Sequence, residues 1–161
     1  METTLGVSPG TRFIGIALQV NGKLIDWKVQ GFPGKWSEHK LKIIIHSLNQ
    51  YMDRHAVTSV CIKIPDELPV SKPFIQLVGT LNVACERKGI KPMYYTLSNL
   101  KRQLCSDGEM NKAGFAECVV AKHPELLPEY HKEKSNSNNN YYVKIFEAVA
   151  ALDCYKAISR N

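Results

Sequence analysis

Several things are scarce in this chain, and each scarcity removes a class of function. The longest uninterrupted apolar run is FIGIAL, Phe13–Leu18, far short of the roughly 20 residues a membrane-spanning helix needs. The first apolar run begins at Leu5 with no basic stretch ahead of it, so no secretory signal is expected and a cytoplasmic location is. The five cysteines, Cys61, Cys85, Cys105, Cys118 and Cys154, form no CxxC pair. They do not group with the five histidines at zinc spacing, and reduced, mostly buried thiols are expected. Gly-x-Ser-x-Gly, P-loop and dinucleotide fingerprints are all missing, which leaves serine hydrolases, P-loop NTPases and dinucleotide enzymes without support. His46 and His55 have no serine or carboxylate at a spacing that suggests catalysis.

What is present describes an ordinary folded domain. The 161 residues are 44% hydrophobic and 22% charged, enough for a core without staples and consistent with a single domain over 1–161. Basic residues outnumber acidic ones by 21 to 15, giving +6. That sign favours polyanionic partners.

The pattern along the chain gives an element order. Thr3–Ser8 reads as an apolar strand closed by Ser8-Pro9-Gly10. FIGIALQV and KLIDWKVQGF flank Asn21-Gly22, a strong hairpin signal. Trp36–His55 carries Trp36, Leu41, Ile44, Ile45, Leu48 and Met52 at helical spacing. Thr58–Ile64 is a continuous apolar strand closed by Pro65, and Phe74–Lys88 is a helix stopped by Gly89. IKPMYYT is a further strand, after which Thr96 can cap a helix over Leu97–Cys105. Ser106-Asp107-Gly108 reads as a turn, and Lys112–Lys122 and Tyr141–Ile158 as helices. Between those helices, Pro128–Asn140 is expected to be a polar loop, flexible over 130–140, with the low-complexity tract SNSNNN at Ser135–Asn140. A meander followed by alternating helices and strands implies an α/β fold whose mixed sheet has helices on both faces.

This order resembles the RNase H-like fold with a five-stranded sheet, and the local sequences resemble RuvC-type Holliday junction resolvases. LGVSPGTRFIGIAL is similar to that family's first-strand signature, in which the strand ends in Asp-Pro-Gly. SVCIKI stands where the family's fourth strand ends in a catalytic Glu, and FEAVAALDCY resembles the start of its closing helix, which carries two Asp one turn apart. YYTLSNLKRQL followed by NKAGFAECVV resembles the stretch after the fifth strand, with Lys101 and Lys112 on its two basic positions. The resemblance spans nearly the whole chain and implies DNA recombination or repair.

Family nucleases hold two divalent ions with four carboxylates. Here the matching positions are Ser8, Lys63, Lys144 and Glu147, so only one carboxylate is left. Two ammonium groups and one carboxylate give the set a formal charge of +1. Two unit charges 4 Å apart interact by roughly 4 kcal/mol at an effective dielectric of 20, so this set is expected to repel a divalent ion. No cofactor is expected, and Mg²⁺ enters only if the ligands have relocated. Ser8 and Lys63 sit at strand ends, and Lys144 and Glu147 are three apart on one helix face. The four can therefore still converge. Three arrangements stay open for the lysines: an internal pair with Glu147, exposure to solvent, or a phosphate contact.

The resulting expectation is an inactive RuvC-like protein that binds branched or single-stranded nucleic acid. Lys101, Arg102 and Lys112 would contact the phosphate backbone, with Arg87, Lys88, Lys91 and Lys122 adding charge in the same half of the chain. Trp27, Trp36, Tyr94, Tyr95, Tyr141 and Tyr142 are candidates for base stacking, although most aromatics in such a domain serve its core or rim. Two rival readings are a metal-dependent nuclease using Glu147 with Asp66 or Glu67, and a protein-binding scaffold. Asp66, Glu67, Asp26 and Asp153 otherwise read as surface or turn carboxylates. By the resemblance, a homodimer through the Phe74–Lys88 helix is also expected.

Overall fold

A computed structural model of the chain describes residues 1–67, 70–105, 112–135 and 141–159. Three strands open it: β1 (Thr3–Ser8), β2 (Phe13–Val20) and β3 (Lys23–Gly31). They are followed by α1 (Glu38–Arg54), β4 (Ser59–Ile64), α2 (Lys72–Arg87), β5 (Met93–Thr96) and α3 (Leu97–Leu104). The chain continues through α4 (Lys112–Lys122), a 3-10 turn at Pro124–Leu126, α5 (Leu127–Ser135) and α6 (Val143–Ser159). The sheet order is β3-β2-β1-β4-β5. β2 pairs antiparallel with β1 and β3, whereas β4 runs parallel to β1 and β5. This is a mixed five-stranded α/β sheet of the RNase H-like kind.

Local chemistry sets these boundaries. Asn21 and Gly22 both have positive φ, 51° and 82°, as the tight turn between β2 and β3 requires. Ser37, Ser71 and Thr96 cap α1, α2 and α3 through their hydroxyls. Thr96 and Asn99 complete a reciprocal capping box.

Strand alternation then sorts the side chains into two cores. Leu5, Val7, Ile14, Ile16, Leu18, Val60 and Ile62 face α1 and α2. The intervening residues face the other way, where Ala17 and Cys61 pack with α6, α3 and α4. Gly6 and Gly15 also lie on that face. A Cβ on Gly6 would collide with the Ala148 carbonyl, and one on Gly15 with the Lys144 backbone. The two bare positions let α6 lie directly on the sheet. No helix among the described residues is long and apolar enough to cross a membrane.

One stretch departs from the sequence reading. Pro128–Asn140 was expected to be a loop, flexible over 130–140, yet residues up to Ser135 belong to α5. Apolar periodicity there is weak although Leu, Glu and Lys favour a helix, and tertiary bonds help to hold it: the Trp27 indole donates to Glu129, and the Tyr142 amide to Glu133. The rest of the expected loop, residues 136–140, lies outside the described residues, as does the turn at Ser106-Asp107-Gly108.

The close approach of α6 gives a contrast that unfolding experiments can measure. Gly6→Ala or Gly15→Ala is expected to cost about 1–3 kcal/mol or more through overpacking. Gly79→Ala in α2 meets nothing within 4 Å and should stabilise by about 0.5–1 kcal/mol. Equal effects of the three substitutions in denaturant melts would contradict this packing.

Candidate functional site

Ser8 and Lys63 reach one place because of register. Gly6 pairs with Cys61 and Val7 with Ile62 across the parallel β1–β4 ladder, so the next residues, Ser8 and Lys63, end adjacent strands on the α6 face. Glu147 lies on the first turns of α6 and is 7% exposed. Its two carboxylate oxygens are divided between them. Ser8 Oγ, fully buried, donates to Glu147 Oε1 at 2.6 Å. Lys63 Nζ lies 3.2 Å from Glu147 Oε2.

Lys144, one turn earlier on α6, takes a different partner. Its ammonium donates to the Pro9 carbonyl at 3.1 Å, in the turn that follows β1. The Gly10 side of that turn is open enough for Nζ to enter, since a Cβ there would sit 3.1 Å from it. Burial lowers the Lys144 pKa below the ordinary lysine value; Glu147 opposes the shift and Lys63 adds to it. The four expected positions are thus gathered in one place beneath α6. Lys63 is paired with the carboxylate, and Lys144 is held by a neutral carbonyl.

This donor set does not suit a divalent ion. A magnesium site needs several oxygen ligands of negative or neutral character, and here the single carboxylate is already engaged on both oxygens. An ion bound to Glu147 would have to displace an ammonium and would sit near a second one. Among the described residues no group of three or more His, Cys, Asp or Glu side chains is arranged to hold a metal.

The carboxylates weighed as substitutes lie elsewhere. Asp66 is exposed and accepts from the Ser98 amide at 2.9 Å, at the start of α3. Burial opposes ionisation there, but the Ser98 and Thr96 hydrogen bonds and Lys101 outweigh it, leaving the pKa below the usual carboxylate range. Glu67 is exposed. Asp26 accepts from the Tyr51 hydroxyl of α1 at 2.6 Å. Asp153 corrects the sequence reading: it is 6% exposed rather than a surface carboxylate. His123 Nε2 lies 2.9 Å from both of its oxygens, tying the end of α4 to α6. Sequence reasoning missed His123 because 30 residues separate the two partners.

The basic residues do not form one face. Arg102 is exposed and Lys101 half-buried in the last turn of α3, where cations complement the helix dipole. The side chain of Lys112, the first residue of α4, lies outside the described residues. Arg87 and Lys88 instead line a cavity of about 780 Å³ between α1 and α2, across the sheet, and Lys88 pairs with Asp53 there. All the cysteines but Cys118 are buried. His46 is exposed and His55 stacks beside Tyr51.

No protein-family model matches the chain, and no curated protein matches it in sequence. Solved structures do. Thermus thermophilus RuvC superposes with a TM-score of 0.72 at 16% identity, over 98% of this chain and 95% of that one. T. thermophilus RuvC in complex with a Holliday junction substrate gives 0.69 at 14% identity, over 99% and 96%. The fold is RuvC-like. That RuvC-like fold covers the whole architecture, including the strand ends at which Ser8 and Lys63 meet α6.

Two measurements test this cluster. Glu147→Ala leaves Lys63 and Ser8 buried without their acceptor and should destabilise by about 3–5 kcal/mol. The triple variant Ser8→Ala/Lys63→Met/Glu147→Met removes all three polar groups together and should recover most of that loss in urea melts. If Glu147→Ala is neutral, the ion pair is not buried as described. Lys144 supplies a pH dependence. Its folded pKa is lowered, so the unfolded chain binds more protons from that value up to about 10.4, and stability should rise with pH through that window. Lys144→Met should flatten the rise in thermal melts.

Proposed function

We propose that this chain is a catalytically inactive RuvC-like protein that binds branched or single-stranded DNA through a basic surface including Lys101, Arg102 and Lys112. The observation that carries the loss of catalysis is the engagement of both Glu147 oxygens, one by Ser8 and one by Lys63. Two-metal phosphodiester hydrolysis needs carboxylates free to hold ions that activate water and stabilise the leaving oxygen. Neither Ser8 nor Lys63 can take that part. The alternative with relocated ligands is disfavoured by Asp66, whose carboxylate is engaged by the Ser98 amide in the first turn of α3.

Binding is supported by the net charge of +6 and the exposed cation at the end of α3. The likeness to a RuvC structure that holds a Holliday junction substrate points to the same class of ligand. Phosphate contacts need charge and position but no reading of bases. A homodimer belongs to the same reading, and α2 offers an exposed apolar row for it, Ile75 and Val83.

Gel shifts with four-way junctions and single strands over a salt series test the proposal. Binding should weaken steeply as salt rises, and further in Lys101→Ala/Arg102→Ala/Lys112→Ala. No cleavage should occur in Mg²⁺ or Mn²⁺. Cleavage abolished by Glu147→Ala would establish an active nuclease instead. The absence of any shift at low salt would leave a protein-binding scaffold. The reversion Ser8→Asp/Lys63→Glu/Lys144→Asp should restore divalent-ion binding, measurable by calorimetry.

A further inference from the structure

We infer that a row of rings and cations from Arg12 to Lys132 is a stacking surface for the bases of single-stranded nucleic acid. This rests on the nucleic-acid reading above and gives it a second surface, distinct from the phosphate contacts of α3.

The row is assembled from separate parts of the chain. The Arg12 guanidinium lies over the Phe13 ring, 5.5 Å from its centroid. Phe13, at the start of β2, meets Tyr141 edge to face at 5.0 Å and 89°. Tyr141 meets Tyr142 in the same manner at 5.0 Å and 88°. The Lys132 ammonium of α5 lies over Tyr142, 5.9 Å from its centroid. The Tyr141 hydroxyl donates to the Val29 carbonyl and fastens the row to the edge strand β3.

Packing covers these rings only in part, with Tyr142 resting against the α6-side core. Core aromatics in this protein are closed off, Phe146 at 0% and Phe115 at 2% exposure. Phe13, Tyr141 and Tyr142 stay half-exposed, and the cations at both ends of the row are exposed. The nearby carboxylates, Glu129 and Glu133, are each engaged by a donor, the Trp27 indole and the Tyr142 amide. Beside Arg12 and Phe13 a cavity of about 400 Å³ opens toward Phe32 and Pro33, within the size range of small-ligand clefts.

The chemistry selects the partner. Cations at both ends attract a polyanion, and ring faces accept any base because every base has a π-face. In a duplex those faces are stacked on their neighbours, so a single strand is the form that presents them. The row starts two residues past Gly10, whose open side admits the Lys144 ammonium.

The test compares a labelled oligo-dT with an abasic strand of equal length, by fluorescence anisotropy at low salt. Oligo-dT should bind at least about fivefold more tightly, the lower end of what stacking one base supplies. Phe13→Leu/Tyr142→Leu should abolish that preference, and Phe13→Tyr/Tyr142→Phe should keep it, with melting curves reporting the fold. Irradiation of unaltered protein with a 5-bromouracil strand guards against misfolded variants: crosslinks should map to Phe13, Tyr141 or Tyr142. Equal affinity for both strands, or crosslinks only on α3, overturns the stacking surface. If in that case binding still depends on Lys101 and Arg102, the nucleic-acid reading stands. No binding of any strand or junction at low salt overturns both.

Discussion

The carboxylate of Glu147 is the group on which the interior of this protein turns. It is almost fully buried, and a buried carboxylate is tolerated only when paired and hydrogen-bonded. Ser8 and Lys63 supply those partners from the ends of two neighbouring strands. The contact is possible because α6 lies flat on β1 and β2, and α6 lies flat because Gly6 and Gly15 carry no side chain beneath it. Charge pairing and close packing therefore depend on one another: a helix displaced outward would strand the carboxylate from both donors.

This dependence explains how a pocket can keep its geometry while its chemistry changes. Strand alternation decides which way residues 8 and 63 point, and helix periodicity decides that residues 144 and 147 share a face. Neither depends on whether the side chain is acidic or basic. An aspartate in place of Ser8 would leave the same backbone atom at the same distance from α6. The fold thus supplies four converging positions, and the residues placed there decide whether the interior holds metal ions or an internal salt bridge.

The backbone was legible in the sequence wherever local chemistry acts alone. Asn21-Gly22, the Thr96 cap and the apolar alternation of Thr3–Ser8 each point to one structure, and each forms it. Convergence of Ser8, Lys63 and Glu147 was legible through the family resemblance, because register follows from the fold. Illegible features are those made by distant partners. α5 has little apolar periodicity of its own, and one of its bonds comes from Trp27, 102 residues away from Glu129. The burial of Asp153 follows from His123, and no spacing rule links them. The cations of the second half of the chain looked like a single group, but the sheet separates Arg87 and Lys88 from Lys101 and Arg102. The different fates of Lys63 and Lys144 were likewise undetermined: which of the two reaches Glu147 depends on where the Pro9 carbonyl lies.

An argument from charge connects the pocket to the proposed binding role. In a two-metal nuclease the ions attract the phosphate and also activate the water that attacks it. Ammonium groups have the same sign and so retain the first effect. They cannot perform the second, because an ammonium is a hydrogen-bond donor with no vacant coordination position and does not lower the pKa of a bound water as a metal does. A set made of Ser8, Lys63, Lys144 and Glu147, at a formal +1, therefore has attraction without the means of hydrolysis. Because Lys63 is spent on Glu147 and Lys144 is bonded to Pro9, that charge acts through the field at the pocket mouth more than by direct contact. The groups that would touch a strand directly are the exposed ones: Arg102 on α3, and Arg12 with Lys132 at the ends of the aromatic row. Under the proposed function, Ser8, Lys63, Lys144 and Glu147 stabilise the domain and bias its field, and recognition belongs to the surfaces around them.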